Sequence, residues 1–437
     1  MVKRSRWVGR PGLLIVLTLV CLLPCGAQAQ TQAQQVVGLE AALRSALRLH
    51  PVVSGKQAQV DAKDFGSEAA RSLRYPTLTA QAQHYGSAPR AGNGSSDSST
   101  PVTLRARQPL WAFGRIDSQI GYADADTETE RADLRRLQRQ LMENTALAYA
   151  TVLSGRQRLQ LAAEHSQALQ RLHQQIQRRE QGQLASRADV SLAATRLAQA
   201  RARQQRFEGE LEIALSDLLA LTLEPVAAEQ PVAPRFTTLP EIDVVLEMAL
   251  AHSAELGHKQ QLVELARAAV DQARTSALPT VYLQAERLHG QSGGRNDSRV
   301  SVVLEASLDG MGFTARSQTQ AAQAQLNAAQ QDLLSASNDV SRSVRRLSSS
   351  RQMQETLITT QATSLLDLAA LLESYKRQYE AGTKSWLDVL NTQREMNEQQ
   401  LQQVQAEADW LAQSLQLTAL IGGFDMLIES SKDDANE

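Results

Sequence analysis

The chain repeats itself. Moving it 203 residues along its own length lays Leu43, Ala46 and Leu47 on Leu246, Ala249 and Leu250, and Pro76-Thr77-Leu78 on Pro279-Thr280-Val281. A move of 198 lays Gly114 on Gly312, and one of 199 lays Ser186 and Asp189 on Ser385 and Asp388. A unit of about 200 residues is therefore present twice, which excludes a short-period solenoid and calls for a fold built from two similar halves. The halves are read as residues 30–224 and 241–424, with Pro225, Pro231, Pro234 and Pro240 marking an extended linker over 225–240 and a polar tail over 425–437.

Ahead of the repeats stand Lys3, Arg4, Arg6 and Arg10, an apolar run from Leu13 to Leu23, and Ala27-Gln28-Ala29. That order predicts a secretory signal peptide over 1–29. The run is about half of what a spanning helix needs. Its removal takes away both cysteines, Cys21 and Cys25, so a zinc cluster, a disulfide framework and a cysteine nucleophile are excluded from the rest. With 45 basic and 47 acidic residues, no basic surface for nucleic acid announces itself.

No proline falls between 110 and 224 or after Pro279, which leaves room for very long helices. Leu134, Leu141, Ala148, Gly155, Ala162, Leu169 and Ile176 recur every seven residues, as do Leu326, Leu333, Val340 and Leu347. A narrow seam of small and medium side chains predicts helix-on-helix packing of coiled-coil type. Gly182 and Gly382 close the first long helix of each half, as left-handed C-caps. Ser186-Arg187-Ala188-Asp189 and Ser385-Trp386-Leu387-Asp388 then read as capping boxes that open the next helix. Helical hairpins are therefore expected over 115–222 and 315–422, each with a tight tip.

Between the helices the period changes to two. Leu78, Ala80 and Ala82, then Val102, Leu104 and Ala106, form apolar faces repeated by Val281, Leu283 and Ala285 and by Val300, Val302 and Leu304. Two β-hairpins follow, over 76–110 and 279–308, with strands of about 9–11 residues, the length a membrane strand requires. Four strands leave two open edges, which lipid does not tolerate, so a membrane barrel would have to be shared between copies. The alternative is a small soluble sheet capping a periplasmic coiled-coil adaptor or structural protein.

With these features the whole chain after residue 29 resembles the TolC family of outer-membrane export channels. Tyr379-Glu380-Ala381-Gly382-Thr383-Lys384-Ser385-Trp386-Leu387-Asp388-Val389-Leu390-Asn391 is similar to the family's second hairpin tip, Y-E-A-G-T-R-x-x-x-D-V-L-D, and Ala70-Arg71-Ser72 before Pro76 resembles A-R-S-x-x-x-P. The resemblance implies an α+β membrane protein of a Gram-negative outer membrane. Its trimeric 12-stranded barrel, four strands per chain, would continue as a long α-helical coiled-coil tunnel through the periplasm. It implies a gated conduit without catalytic residues, cofactor or metal. Its partners would be two further copies, outer-membrane lipid, a periplasmic adaptor, and an inner-membrane ABC transporter or proton-driven pump.

By the same resemblance Asp388 rings the closed pore, with Asn391 where the family has a second carboxylate. Tyr379 and Lys384 latch the tips together with Asp189 as partner, and Gly182, Ser186, Gly382, Ser385 and Trp386 form the tips that meet the adaptor. Trp386 reads equally well as a staple packing one tip on the other. The first tip holds one residue more than the family spacing. Among the family's branches the chain looks most like those serving type I secretion of large adhesins, with small-molecule efflux the alternative.

Two motifs are set aside. Gly310-Met311-Gly312-Phe313-Thr314-Ala315 spells a dinucleotide fingerprint but lacks a short βαβ unit. Gly290-Gln291-Ser292-Gly293-Gly294 spells a nucleophile elbow but lies in a hairpin loop. His165 and His173, eight apart, are too distant for a metal clip and read as solvated or seam residues.

Overall fold

The computed structural model describes residues 38–84, 102–289, 297–307 and 309–428. The expected signal peptide, most of both strand-joining loops and residues 429–437 of the expected tail lie outside these residues. Each half opens with a bent helix pair: α1 (Leu39–Leu49) with α2 (Pro51–Ser72), and α5 (Ile242–His252) with α6 (Ala254–Thr275). The break falls where Pro51 occupies the first helical position in one half and Ser253 caps Leu256 N in the other. Two strands follow in each half, β1 (Thr77–Ala82) and β2 (Val102–Trp111), then β3 (Thr280–His289) and β4 (Asp297–Glu305). The long hairpins are α3 (Arg115–Gln181) with α4 (Arg187–Thr222), and α7 (Phe313–Glu380) with α8 (Trp386–Leu420). At 1.5 Å per residue α3 and α7 each run for roughly 100 Å.

The four strands form one antiparallel sheet in the order β1-β2-β3-β4, so the two halves are joined through the β2–β3 pair. Register gathers the apolar residues on one face: Leu78 pairs with Ala106, Ala106 with Ala285, Ala285 with Val300, and Val281 with Leu304. That face is bare, with Leu78 80% and Val300 73% exposed. The opposite face carries the charges as cross-strand pairs. Arg105 lies 3.4 Å from Glu286, Arg107 pairs with Glu305, and the Arg107 guanidinium sits 4.3 Å from the centre of the Tyr282 ring. Pro109 stands where β2 slips register against β3, the place in a sheet that tolerates a missing N–H. β1 has six residues rather than 9–11, because its ladder ends where Ala82 meets Val102.

Strand passes to helix through the same turn in both halves. Phe113 and Gly114 adopt φ of 50° and 88°, and Met311 and Gly312 adopt 58° and 89°. The fingerprint-like Gly310-Met311-Gly312 is thus half of a duplicated strand-to-helix corner, where positive φ favours glycine.

The largest core lies where α1, α3, α4 and α8 meet, around Leu43, Met142, Tyr149, Leu218 and Leu415. Gly155 belongs to the seam because α4 comes close there: a Cβ would sit 3.3 Å from Leu211 Cδ1. The proline-rich linker is packed rather than extended free. Ala228 and Phe236 are buried in this core, Tyr149 donates its hydroxyl to Gln230 O at 2.8 Å, and Thr418 donates to Phe236 O at 2.7 Å. Apart from one 3-10 turn over Pro234–Phe236 the prolines keep the segment from becoming helix, while its carbonyls take side-chain donors from α3 and α8. Tyr149→Phe should cost about 1 kcal/mol through loss of that bond, and Tyr149→Ala about 3–5 kcal/mol through the cavity left behind. Thermal unfolding of the detergent-solubilised protein measures both.

Candidate functional site

The two hairpin tips are built alike, and their backbone bonds explain how. In the second tip Thr383 N donates to Gln378 O at 2.9 Å and Gly382 N to Tyr379 O at 3.1 Å, with Gly382 at φ 75°. This is a Schellman ending with glycine in the left-handed position. In the first tip Leu184 N donates to Arg179 O at 2.8 Å and Gln183 N to Glu180 O at 2.9 Å. There the left-handed residue is Gln183, at φ 60°, while Gly182 sits at φ −83°. Gly182 is therefore not the left-handed cap expected of it. The move of 199 that superposes the two capping boxes also lays Gln183 on Gly382, so Gly182 takes the C-cap position that Ala381 holds in the second tip.

Both capping boxes form. Ser186 Oγ accepts from Asp189 N at 3.1 Å while Asp189 accepts from Ser186 N at 3.0 Å; Ser385 Oγ accepts from Asp388 N at 3.3 Å and Asp388 accepts from Ser385 N at 3.3 Å. The tips then brace each other. Trp386 Nε1 donates to Asp189 Oδ1 at 3.0 Å, and the Trp386 ring packs on the Leu169–Leu197–Leu390 and Leu372–Tyr379–Val389 clusters. Arg179 lies 4.2 Å from the centre of the buried Tyr379 ring and reaches Tyr379 O at 3.4 Å. Within the chain Trp386 is thus the staple.

Within one chain the residues expected at the latch contact other groups. Lys384 faces Asp388 at 3.8 Å and the Tyr375 ring at 4.4 Å, not Asp189, because the i,i+4 spacing within its own tip brings that carboxylate nearer. Tyr379 meets Arg179 rather than Asp189. Asn391 is exposed and borders a groove with His165 and Arg394. Arg179 carried no motif, since a cation over a ring declares itself only once two helices lie side by side. Among the described residues no group of His, Cys, Asp and Glu is arranged to hold a metal ion.

At the other end of the helices Tyr75, Trp111, Phe113 and Phe313 are exposed around the strand-to-helix corners, with the Trp111 and Phe113 rings edge to face at 6.1 Å. Aromatics below a bare apolar strand face are what a membrane–water boundary selects. No described helix is long and apolar enough to cross a membrane.

Comparison with known families decides the matter. The model for the outer membrane efflux protein family matches residues 42–222 and 245–423. The chain belongs to that family. It is 23% identical over 339 residues to the alkaline protease secretion protein AprF of Pseudomonas aeruginosa, covering 74% of this chain and 69% of that one. Its fold matches that of CusC, whose structures describe transmembrane channel formation, with TM-score 0.77, 16% identity and coverage of 88% and 91%. It also matches the CmeC outer membrane channel of Campylobacter jejuni, with TM-score 0.76, 13% identity and coverage of 90% and 89%. The fold class is that of the trimeric TolC-type channels, a 12-stranded barrel with four strands per chain continued by an α-helical tunnel. The chain is an outer-membrane export channel with a periplasmic extension.

The tips give two expected outcomes. Gln183→Gly removes a side chain from a left-handed position and should stabilise the first tip by about 1 kcal/mol, read as slower local amide exchange. The second concerns Asp189. The amide of Ser186 first, then the hydroxyl of Ser186 and the Trp386 N–H, donate to its carboxylate and hold its pKa below the ordinary 3.8. A depressed carboxylate contributes stability above its unfolded pKa and loses it as pH falls through the folded one. The protection of the tip amides, taken as exchange relative to the intrinsic rate at each pH, should therefore be flat at neutral pH and fall only below the ordinary carboxylate range. Trp386→Phe, which keeps packing but not the donor, should shift that onset upward.

Proposed function

We propose that three copies of this chain form the outer-membrane conduit of a type I protein secretion system, closed at the paired tips. The secretion assignment is supported by the likeness to AprF, which carries the name of a protease secretion protein. Small-molecule efflux is the second reading, favoured by the family's own description. The placement of the gate rests on one observation, the cross-brace of Trp386 on Asp189 between two mirrored capped tips.

In this reading the chain performs no covalent chemistry. An inner-membrane ABC transporter supplies the energy, and a periplasmic adaptor docks on the tips through Gly182, Ser186, Gly382, Ser385 and Trp386. Docking favours a packing in which the Trp386–Asp189 bond is broken, so the tips part. A ligand moves such an equilibrium only by binding one packing better than the other. Asp388 lines the closed entrance as a ring of three carboxylates, with Asn391 beside it. Capping α8 and lining the pore are compatible, because Asp388 Oδ2 accepts the cap bonds while the group remains 42% exposed.

Two measurements test this. A strain lacking the chain should lose a large protein from its culture medium while keeping its drug susceptibility; the reverse pattern supports efflux. In bilayer recordings Asp388→Asn, which removes the charge and retains a cap acceptor, should weaken cation preference and relieve block by divalent cations. Unchanged ion selectivity would remove Asp388 from the pore.

A further inference from the structure

Inward of the tips, α3, α4 and α8 leave a groove of about 240 Å³ bordered by His165, Arg196, Arg203, Asn391, Arg394 and Glu398. Three guanidinium groups share it with one carboxylate. Glu398 reaches Arg394 only at 4.0 Å, and Arg196 gives one N–H to Gln199 at 3.0 Å. Arg203 makes no ion pair among the described residues. The floor is apolar, with Leu169 and Leu390 buried beneath.

His165 completes the arrangement. It is half-buried, and its Nδ1 is closed off from solvent without a hydrogen-bond partner. Burial, and then the Arg203 guanidinium, push its pKa below the usual 6.5, whereas Glu398 pulls it up. The charged groups bordering it are Arg196 and Arg203 from α4 and Arg394 and Glu398 from α8. An anion among them would favour the imidazolium and so gain a further N–H donor. Guanidinium forks are the side chains best suited to a planar or tetrahedral oxyanion.

We propose that this groove binds an oxyanion group, carboxylate or sulfate-like, between Arg203 and Arg394 with His165 as a third donor. The occupant is either a small free anion or the acidic side chains of a polypeptide. The proposal stands on the groove alone and can fail while the export reading holds.

The test is calorimetric titration of the full chain in detergent with sodium sulfate, which keeps its charge between about pH 5.5 and pH 8, the range over which His titrates. Saturable binding is expected, weakened about tenfold or more in Arg203→Gln combined with Arg394→Gln. Glutamine keeps helix propensity at these exposed positions, and unchanged circular dichroism and particle mass confirm the fold. Binding should tighten at the lower pH, and His165→Gln should abolish that dependence while leaving binding at the higher pH. Displacement of sulfate by tetraglutamate assigns the site to peptide carboxylates, and failure to displace it assigns the site to small anions; either supports an oxyanion site. No saturation up to about 10 mM sulfate, or equal binding by the double variant, overturns it.

Discussion

The unpaired edges of a four-stranded sheet govern everything else in this molecule. β1 and β4 each present one row of backbone N–H and C=O groups with no neighbour in the sheet order. In lipid, where no water can satisfy them, each such group costs several kcal/mol. The bare apolar face, with Leu78, Val300, Val302 and Leu304 exposed, fits the sheet for the bilayer, and the open edges forbid it to enter alone. Pairing β4 of one copy with β1 of the next satisfies both at once. The charged face, already neutralised by the Arg105–Glu286 and Arg107–Glu305 pairs, then turns to the interior.

The helices inherit this symmetry. Because the sheet joins the halves through β2 and β3, α3 and α7 leave it through identical positive-φ corners. Both hairpins end in the same Schellman and capping-box geometry. Such tips are locally stiff, since the amides of Ser186 and Asp189, and of Ser385 and Asp388, find partners in the capping boxes. Between the tips the described polar contacts are specific: the Trp386 indole N–H on the Asp189 carboxylate, and the Arg179 guanidinium over the Tyr379 ring and on its carbonyl, beside the apolar packing of Trp386. A gate needs that combination, rigid parts joined by contacts that can be exchanged for others.

Much of this was legible in the residues. The duplication, the change of period at Pro76 and Pro279, the proline-free helices and the two Ser-x-x-Asp starts are local patterns, and local patterns survive in sequence. What was hidden or misplaced was of another kind. Gly182 attracted the cap assignment by being glycine, although the register that superposes Asp189 on Asp388 puts Gln183 in the strained position. The bond from Trp386 to Asp189 was not legible, because the indole reaches that carboxylate only after two hairpins pack together. Prolines in the linker announced the absence of helix but not that Tyr149 and Thr418 would fasten it down. His165 reads as a solvated or seam residue, and the burial of one ring nitrogen leaves no periodic trace that would say more.

The central claim is that one chain cannot close its own barrel. The most direct measurement is the protein mass of the particle extracted from outer membranes and purified in detergent. Three chains per particle, at about 12 strands, fall within the range of known membrane barrels and would support the shared barrel. A monomer that stays in solution without detergent would contradict it, because its bare strand face and open edges would then have no membrane to account for them.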